Sequence, residues 1–180
     1  MAKANDNNLK HQFGDRYSFL KDLPDYEKAE IIAEEMFKNV KDKEGRPYIE
    51  HLRFVSEQLP TEEGKIVGLL HDLIEDTNAT ISELQDVGFN ERILGSLIIL
   101  TRDKSIDYSD YIDSIINSNN EIALRVKEAD MRNNMNPERI AKLTPEYQEK
   151  FKLKYPPQYK KIIEKIGEIK NDRYQVNTRK

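Results

Sequence analysis

The chain has 180 residues and a mass of 21.1 kDa, which fits one domain large enough to bury its own core. Apolar residues make up 37% of the sequence and charged residues 34%, a balance that excludes an intrinsically disordered protein. The formal net charge is −4 with lysines scattered among acids, which argues against duplex nucleic acid as a partner, and the lack of cysteine removes disulfides, thiolate nucleophiles and cysteine-bound zinc.

Hydropathy gives no sign of a membrane segment. No run approaches the roughly 18 consecutive apolar residues of a transmembrane helix, and the first ten residues lack the apolar stretch of a secretory signal. We therefore expect a soluble cytoplasmic protein that does not bind membranes.

Helical periodicity dominates the first part of the chain, and strand-like alternation is scarce. Pro24 suits the first turn of a helix that we expect to run to about Lys41. A second predicted helix begins at Pro47 and ends before Pro60, and Thr61 can cap a third, whose apolar residues are followed by a His-Asp pair. The sequence therefore predicts an all-α fold.

The remainder of the chain continues in the same pattern. Thr80 begins a capping box for a short predicted helix that Gly88 stops. Further helices are predicted at residues 91–101, 108–117, 121–134, 137–142 and 157–170. We expect a single domain at residues 23–170, with an N-terminal extension at 1–22 and a flexible tail at 171–180.

The most informative segment follows the third predicted helix. It places four ionisable side chains directly after an apolar run: His71, Asp72, Glu75 and Asp76. Burial of such groups is costly unless they are paired or bind a cation. His71 and Asp72 can offer a nitrogen and an oxygen to one ion, with the two later carboxylates nearby. An isolated pair of this kind is more often an acidic helix end in solvent, so a metal site needs support from elsewhere in the chain.

A further carboxylate lies on an apolar helix face. Ile122, Val126, Asp130 and Asn134 recur every four residues, so the apolar stripe runs into a carboxylate and then an amide. The alternative is that Asp130 pairs with a nearby basic residue, but we expect Lys127 to extend outward to solvent. We therefore predict that the Asp130 carboxylate binds a cation.

The third candidate is His51, which shares a helix face with Tyr48 and Val55. A lone histidine on an apolar face is more often a satisfied core residue than a ligand, so His51 alone indicates little. His11 lies in the polar N-terminal stretch without a partner pattern and is not a candidate.

Three motifs together resemble those of the HD-domain metal-dependent phosphohydrolases. They are residues 47–51 (PYIEH), 71–77 (HDLIEDT) and 126–134 (VKEADMRNN). More narrowly, they are similar to the hydrolase domain of RelA/SpoT-type proteins and to the small stand-alone (p)ppGpp hydrolases, and the match covers roughly residues 25–160 in order. The resemblance implies an HD-domain helical bundle.

The resemblance also implies roles for individual residues. One divalent ion, usually Mn²⁺ in that family, would be bound by His51, His71, Asp72 and Asp130. Glu75 and Asp76 would position and deprotonate the attacking water. Substrate contacts would come from Lys41, Lys104, Asn134 and Tyr155.

The implied activity is removal of the 3′-pyrophosphate from a nucleotide alarmone such as (p)ppGpp or ppApp. Two departures bear on which nucleotide is bound: Val40 stands where the family has arginine, and residues 33–35 (AEE) stand where it has an Ala-His segment. The alternatives are an HD-superfamily nucleotidase acting on nucleoside monophosphates and a non-catalytic regulatory HD protein. The sequence leaves oligomerisation and physiological role open.

Overall fold

The structure is a computed structural model that describes residues 17–178 of the chain. These residues form helices joined by loops, which confirms the expected all-α fold. After a 3₁₀ turn at Ser18–Leu20, the α-helices are α1 (Asp25–Met36), α2 (Tyr48–Glu57), α3 (Glu62–Leu70), α4 (Leu73–Asp76), α5 (Ile81–Val87), α6 (Glu91–Leu100), α7 (Tyr108–Asn117), α8 (Glu121–Asn134), α9 (Pro137–Ile140) and α10 (Pro145–Thr178).

Several helix ends follow local sequence signals. Thr61 accepts a hydrogen bond from the Gly64 N–H at 3.1 Å and caps α3, as predicted. The predicted capping box of α5 is present, because Thr80 and Glu83 each accept from the other's backbone N–H. Gly88 ends α5 with a φ of 103°, a left-handed conformation that glycine adopts without strain.

Helix α3 is the central element and packs against α1, α2, α6 and α8. Its apolar side chains are almost fully buried: Ile66, Val67, Leu69 and Leu70. Gly68 permits the close approach of α2, since a Cβ at this position would lie 2.8 Å from the Ser56 Cα. Burial stabilises each of these large aliphatic side chains by roughly 1.5–3 kcal/mol, so the end of α3 is firmly held inside the protein.

Helix α1 ends at Met36, earlier than the predicted end near Lys41. The chain turns instead, because the Asp42 carboxylate accepts hydrogen bonds at 2.9 Å from two later backbone N–H groups. The resulting loop at residues 37–47 leads directly into α2.

Helix α10 starts much earlier than the predicted span of 157–170 and also ends later. It continues through Pro156 and Pro157, which cannot donate a backbone hydrogen bond. Both prolines are exposed, so the carbonyl groups that lose their partners can reach water. The helix stays continuous because buried side chains hold it on both sides of the prolines: Phe151, Tyr155, Ile162 and Ile166. Neither α10 nor any other helix within residues 17–178 has the length and apolar character needed to cross a membrane.

The packed region is wider than the predicted domain. Tyr17 and Leu20 are buried in the core, although the sequence predicts a domain start at residue 23. Helix α10 also remains helical through most of the predicted flexible tail. Residues 1–16, which include His11, and residues 179–180 lie outside the described part of the chain.

Candidate metal centre

Two histidines and a carboxylate converge inside the helical bundle. His51 comes from α2, while His71 and Asp72 follow the last residue of α3. One ligand atom from each residue lies within 4.8 Å of the others. Ligand atoms that share an ion at roughly 2.0–2.3 Å lie within about 4.5 Å of one another, so the cluster is close to the spacing of a metal site. The fold thus brings three of the predicted ligands together.

Hydrogen bonds fix the orientation of both imidazole rings. His51 Nδ1 donates to the Asn133 side-chain oxygen at 2.8 Å, and His71 Nδ1 donates to the Gly68 carbonyl oxygen at 2.8 Å. These oxygen acceptors favour a proton on each Nδ1, which leaves each Nε2 to face the cluster, and Arg139 Nη1 also lies 3.4 Å from His51 Nδ1. Metal-binding histidines are held in this way by the nitrogen that does not ligate.

The Nε2 atom of His71 is buried and has no hydrogen-bond partner within residues 17–178. It lies 3.1 Å from Asp72 Oδ2, an arrangement that requires a positive charge between nitrogen and oxygen. Burial opposes a charged imidazole, but Asp72 outweighs it and raises the pKa of His71 to about 9. Burial would likewise raise the pKa of Asp72, yet His71 holds it below its ordinary value. Either a proton on Nε2 or a bound cation supplies this positive charge, so the pair has the donor atoms and spacing to hold an ion.

Asp130 on α8 borders the cluster, with its Oδ1 3.4 Å from His51 Nε2 and accepting from the Asn134 amide at 2.6 Å. Its Oδ2 is 2.9 Å from Lys127 Nζ. The prediction that Lys127 extends outward is wrong: the residue is buried, because a buried carboxylate needs a nearby opposite charge. Burial opposes both charges, but their attraction holds the pKa of Asp130 well below its ordinary value and that of Lys127 well above.

Glu75 and Asp76, the predicted catalytic acids, lie on α4 directly after the cluster. Glu75 Oε2 accepts a hydrogen bond from the Arg102 backbone N–H at 3.3 Å, which orients that carboxylate. Lys104 Nζ is 3.7 Å from Glu75 Oε1 and 3.4 Å from Asp76 Oδ1. The Lys104 side chain is 66% exposed, so the structure places this predicted substrate contact at the surface, where the two acids hold it.

A cavity of about 520 Å³ is lined by His51 and Asp72 of the cluster and by the two acids. Three of the four predicted substrate residues line it: Lys41, Asn134 and Tyr155. Basic residues that the sequence did not indicate as binding residues line it too: Lys43, Arg102, Lys127, Arg139 and Lys154. The volume lies in the range of small-molecule sites, roughly 300–1,000 Å³, and the basic lining suits an anionic ligand.

Arg139 on α9 ties the loop at residues 37–47 to the opposite side of the cavity. Its Nε donates to Glu44 Oε1 at 2.5 Å, and its Nη2 donates to Asp42 Oδ2 at 3.1 Å. Burial would raise the pKa of Glu44, but Arg139 outweighs burial and lowers it. The charge of Arg139 is therefore balanced within the protein itself.

Two side chains that hold the candidate ligands were missed as functional residues. The Tyr48 hydroxyl donates a short hydrogen bond to Asp72 Oδ2, and burial together with Asp72 raises the pKa of this phenol, so it stays a donor. Their spacing in the sequence could have identified them. Tyr48 lies three residues before His51, and Lys127 lies three residues before Asp130. In a helix this places each partner one turn from the ligand.

Comparison with known proteins bears on the fold. No family model matches this sequence, and no curated protein matches it. Among solved structures, the chain is similar to one described as "A metazoan ortholog of SpoT hydrolyzes ppGpp and plays a role in starvation responses". The TM-score is 0.62 and the sequence identity is 21%, over 79% of this chain and 85% of that chain. The likeness confirms the all-helical fold, which this chain shares with that protein.

Proposed function

We propose that this chain is a metal-dependent phosphohydrolase that removes the 3′-pyrophosphate of a nucleotide alarmone such as (p)ppGpp or ppApp. The observation that carries the proposal is the buried His71 Nε2, which faces Asp72 across 3.1 Å without a hydrogen-bond partner in the described residues. Asp72 of this pair and the neighbouring His51 open onto a cavity lined by acids and cations. The fold likeness to a protein described as hydrolysing ppGpp supports the same class of substrate.

In this proposal four side chains hold one divalent ion: His51, His71, Asp72 and Asp130. Two imidazole nitrogens and two carboxylate oxygens form a mixed donor set that suits Mn²⁺. Bound there, a divalent ion lowers the pKa of water and neutralises charge on a phosphoryl oxygen. Tyr48 and Asn134 keep the two carboxylates oriented through their hydrogen bonds to Asp72 and Asp130.

Glu75 and Asp76 are the proposed proton acceptors. The oxygen of a water molecule bonds to the phosphorus attached to the sugar, the bond from that phosphorus to the 3′ oxygen breaks, and pyrophosphate leaves. A carboxylate oxygen of Glu75 or Asp76 takes the proton from the water and returns it to the 3′ oxygen. Such a positioned carboxylate contributes typically about 10²–10⁴-fold to the rate.

The charge of the cavity supports a substrate with several phosphates. Lys43 and Lys154 line the cavity, and neither forms an ion pair with a carboxylate in residues 17–178. Lys41 and Arg102 of the lining also form no such ion pair, so the roughly two negative charges of a nucleoside monophosphate would leave part of this positive charge unbalanced. A purely regulatory protein would have no need of the proton acceptors Glu75 and Asp76 next to the ion.

The test is an incubation of purified protein and Mn²⁺ with ppGpp, ppApp and the corresponding nucleoside monophosphates, with products separated by chromatography. We expect pyrophosphate and the nucleoside 5′-diphosphate from the two alarmones, no product from the monophosphates, and no reaction in EDTA. Orthophosphate release from the monophosphates would support the nucleotidase instead. Tight nucleotide binding without turnover would support the regulatory protein.

A further inference from the structure

We propose that Arg102, Tyr108 and Lys154 form a second phosphate subsite, which binds the 5′-phosphates of the nucleotide while its 3′ group lies at the candidate metal centre. The identity of the nucleotide rests on the proposed function, whereas the subsite itself rests on the contacts of these three residues. Within the proposed substrate class, the inference assigns residues to the 5′-phosphates, which (p)ppGpp and ppApp carry in addition to their 3′ groups.

The three residues meet at the ring of Tyr108. Lys154 Nζ lies 3.9 Å from the ring centroid and Arg102 Cζ lies 5.4 Å from it, both within the range of cation–π attraction. Tyr108 begins α7, Arg102 precedes it in the α6–α7 loop, and Lys154 comes from α10. Because all three line the cavity, the packing of separate segments creates this group on one wall.

Several polar atoms of this group have no protein partner in the described residues, although Arg102 Nη2 donates to the Ile106 carbonyl oxygen at 2.8 Å. The Tyr108 hydroxyl and the Arg102 Nε are buried without a hydrogen-bond partner in the described residues. Burial of an unpaired donor is unfavourable, and both atoms are able to donate. Lys154 forms no ion pair with a carboxylate in that part of the chain. A ligand that accepts several hydrogen bonds and carries negative charge would satisfy all three residues, and a phosphate group does both.

Positive charge accumulates at this wall. Burial, followed by the charge of Lys127 and smaller contributions from Arg102 and Lys43, lowers the pKa of Lys154 to about 8. Lys127 differs from Lys154 because it already has a carboxylate partner, Asp130. The wall thus contains cations whose mutual repulsion a bound anion would relieve.

The position of Lys127 relates the subsite to the metal centre. Its Nζ lies 2.9 Å from Asp130 Oδ2 and 5.9 Å from the Tyr108 ring centroid. The subsite and the candidate metal centre are therefore neighbours within one cavity, with Lys127 in contact with both. One nucleotide with a phosphate group at each position can occupy the two sites together.

The test measures binding to metal-free protein in EDTA by calorimetry, using GDP and guanosine, which differ only in the 5′-phosphates. We expect GDP to bind the wild type more tightly than guanosine does. Arg102→Gln and Lys154→Met should each weaken GDP binding on the order of tenfold, the usual effect of losing a charged hydrogen bond. Arg102→Gln retains the backbone N–H that donates to Glu75.

Matched controls are Lys160→Met on the same helix and Arg92→Gln, whose side chains are 79% and 74% exposed and pair at the surface with Glu164 and Glu63. Both controls should bind GDP as the wild type does. Wild-type affinity for GDP in Arg102→Gln and Lys154→Met, or equal affinity of the wild type for GDP and guanosine, would overturn the subsite.

A hydrolysis assay with ppGpp and with guanosine 3′-diphosphate, which lacks 5′-phosphates, separates this inference from the proposed function. We expect Lys154→Met to raise KM for ppGpp while kcat changes little, and to leave KM for guanosine 3′-diphosphate unchanged. If neither nucleotide is hydrolysed but the GDP results hold, the subsite stands and the proposed function fails. If both are hydrolysed with equal KM by the wild type and the variant, the function stands and the subsite fails.

Discussion

Two walls of the cavity differ in how their charges are balanced. On the wall formed by α2, α3 and α8, the carboxylates are paired with protein donors, as in the Lys127–Asp130 ion pair and the Tyr48–Asp72 hydrogen bond. On the wall formed by Arg102, Tyr108 and Lys154, two buried donor atoms have no hydrogen-bond partner and neither cation has a carboxylate partner within residues 17–178. The first wall is built to hold an ion in fixed geometry, and the second to receive an anion from outside. Substitutions on the two walls should therefore affect different measurements.

The largest effect is expected on the first wall. Asp72→Ala should abolish turnover and weaken Mn²⁺ binding by more than the roughly 10–100-fold that loss of an outer hydrogen bond to a ligand costs. The helical fold should survive, because the site lies at the end of a well-buried helix. Metal titration, turnover and circular dichroism on the same preparation provide the comparison, with exposed Asp86→Ala as the matched control. Full turnover in Asp72→Ala would show that catalysis does not depend on a metal ion at this site.

The second-largest effect is expected at Glu75 and Asp76 on α4, where substitutions separate the chemical step from metal binding. Glu75→Gln and Asp76→Asn keep the size of each side chain but remove its ability to accept a proton, so turnover should fall by about 10²–10⁴-fold if that residue is the base. Affinity for Mn²⁺ should change little. A variant with a normal rate at saturating Mn²⁺ but strongly reduced Mn²⁺ affinity would show that the replaced residue is a metal ligand and not the base. A normal turnover rate together with a normal Mn²⁺ affinity would mean that Glu75 and Asp76 only face solvent at the turn that follows.

The Lys127–Asp130 pair tests whether the first wall balances its own charge. Lys127→Met leaves a buried carboxylate without its partner, which we expect to lower the free energy of unfolding by about 3 kcal/mol. Added Mn²⁺ should restore much of this loss by supplying positive charge, and the double variant with Asp130→Asn should be less destabilised than Lys127→Met alone. Urea unfolding with and without Mn²⁺ measures both effects. An equally unstable double variant would show that the loss comes from packing.

The smallest expected effect is the pH dependence of GDP binding at the wall that contains Lys154. Because the pKa of Lys154 is lowered to about 8, its ammonium is present below that pH and lost above it. A bound 5′-phosphate favours the ammonium, so GDP affinity should be full below pH 8 and fall at higher pH, by at most about tenfold per unit. The charged groups that act on Lys154 are Lys43, Arg102, Lys127 and Asp130.

Calorimetry between pH 6.5 and 9.5 measures this dependence in the wild type and in Lys154→Met. The variant should bind GDP weakly at every pH in this range, without the decline above pH 8. The same decline in both proteins would assign the titration to another group.

The same contrast explains what could be predicted from the sequence. The caps at Thr61 and Thr80 are local signals, and the His71-Asp72 pair follows an apolar run that must be buried, so the fold class was predictable. These features depend on neighbours in the chain or on helical spacing. The convergence of His51 with His71 and Asp72 was predicted from the resemblance of the three motifs to those of the HD-domain phosphohydrolases.

The features that could not be predicted depend on tertiary packing. Helix α10 continues through two prolines because buried residues on both sides hold it against α7 and α8. Lys127 turns inward because Asp130 is buried, which spacing alone does not determine. Arg102 and Lys154 reach one wall from separate segments, so no local pattern marks them as partners. The roles of Lys41, Asn134 and Tyr155 toward a substrate stay predictions.

The most direct test of the central claim is release of pyrophosphate from ppGpp as Mn²⁺ is added to metal-free protein, with metal binding followed in the same titration. We predict that one ion binds per chain and that turnover rises in proportion to its occupancy in the wild type, whereas Asp72→Ala binds Mn²⁺ far more weakly and shows no turnover. Pyrophosphate release that persists in EDTA, or that is absent when one Mn²⁺ is bound per chain, would contradict the account.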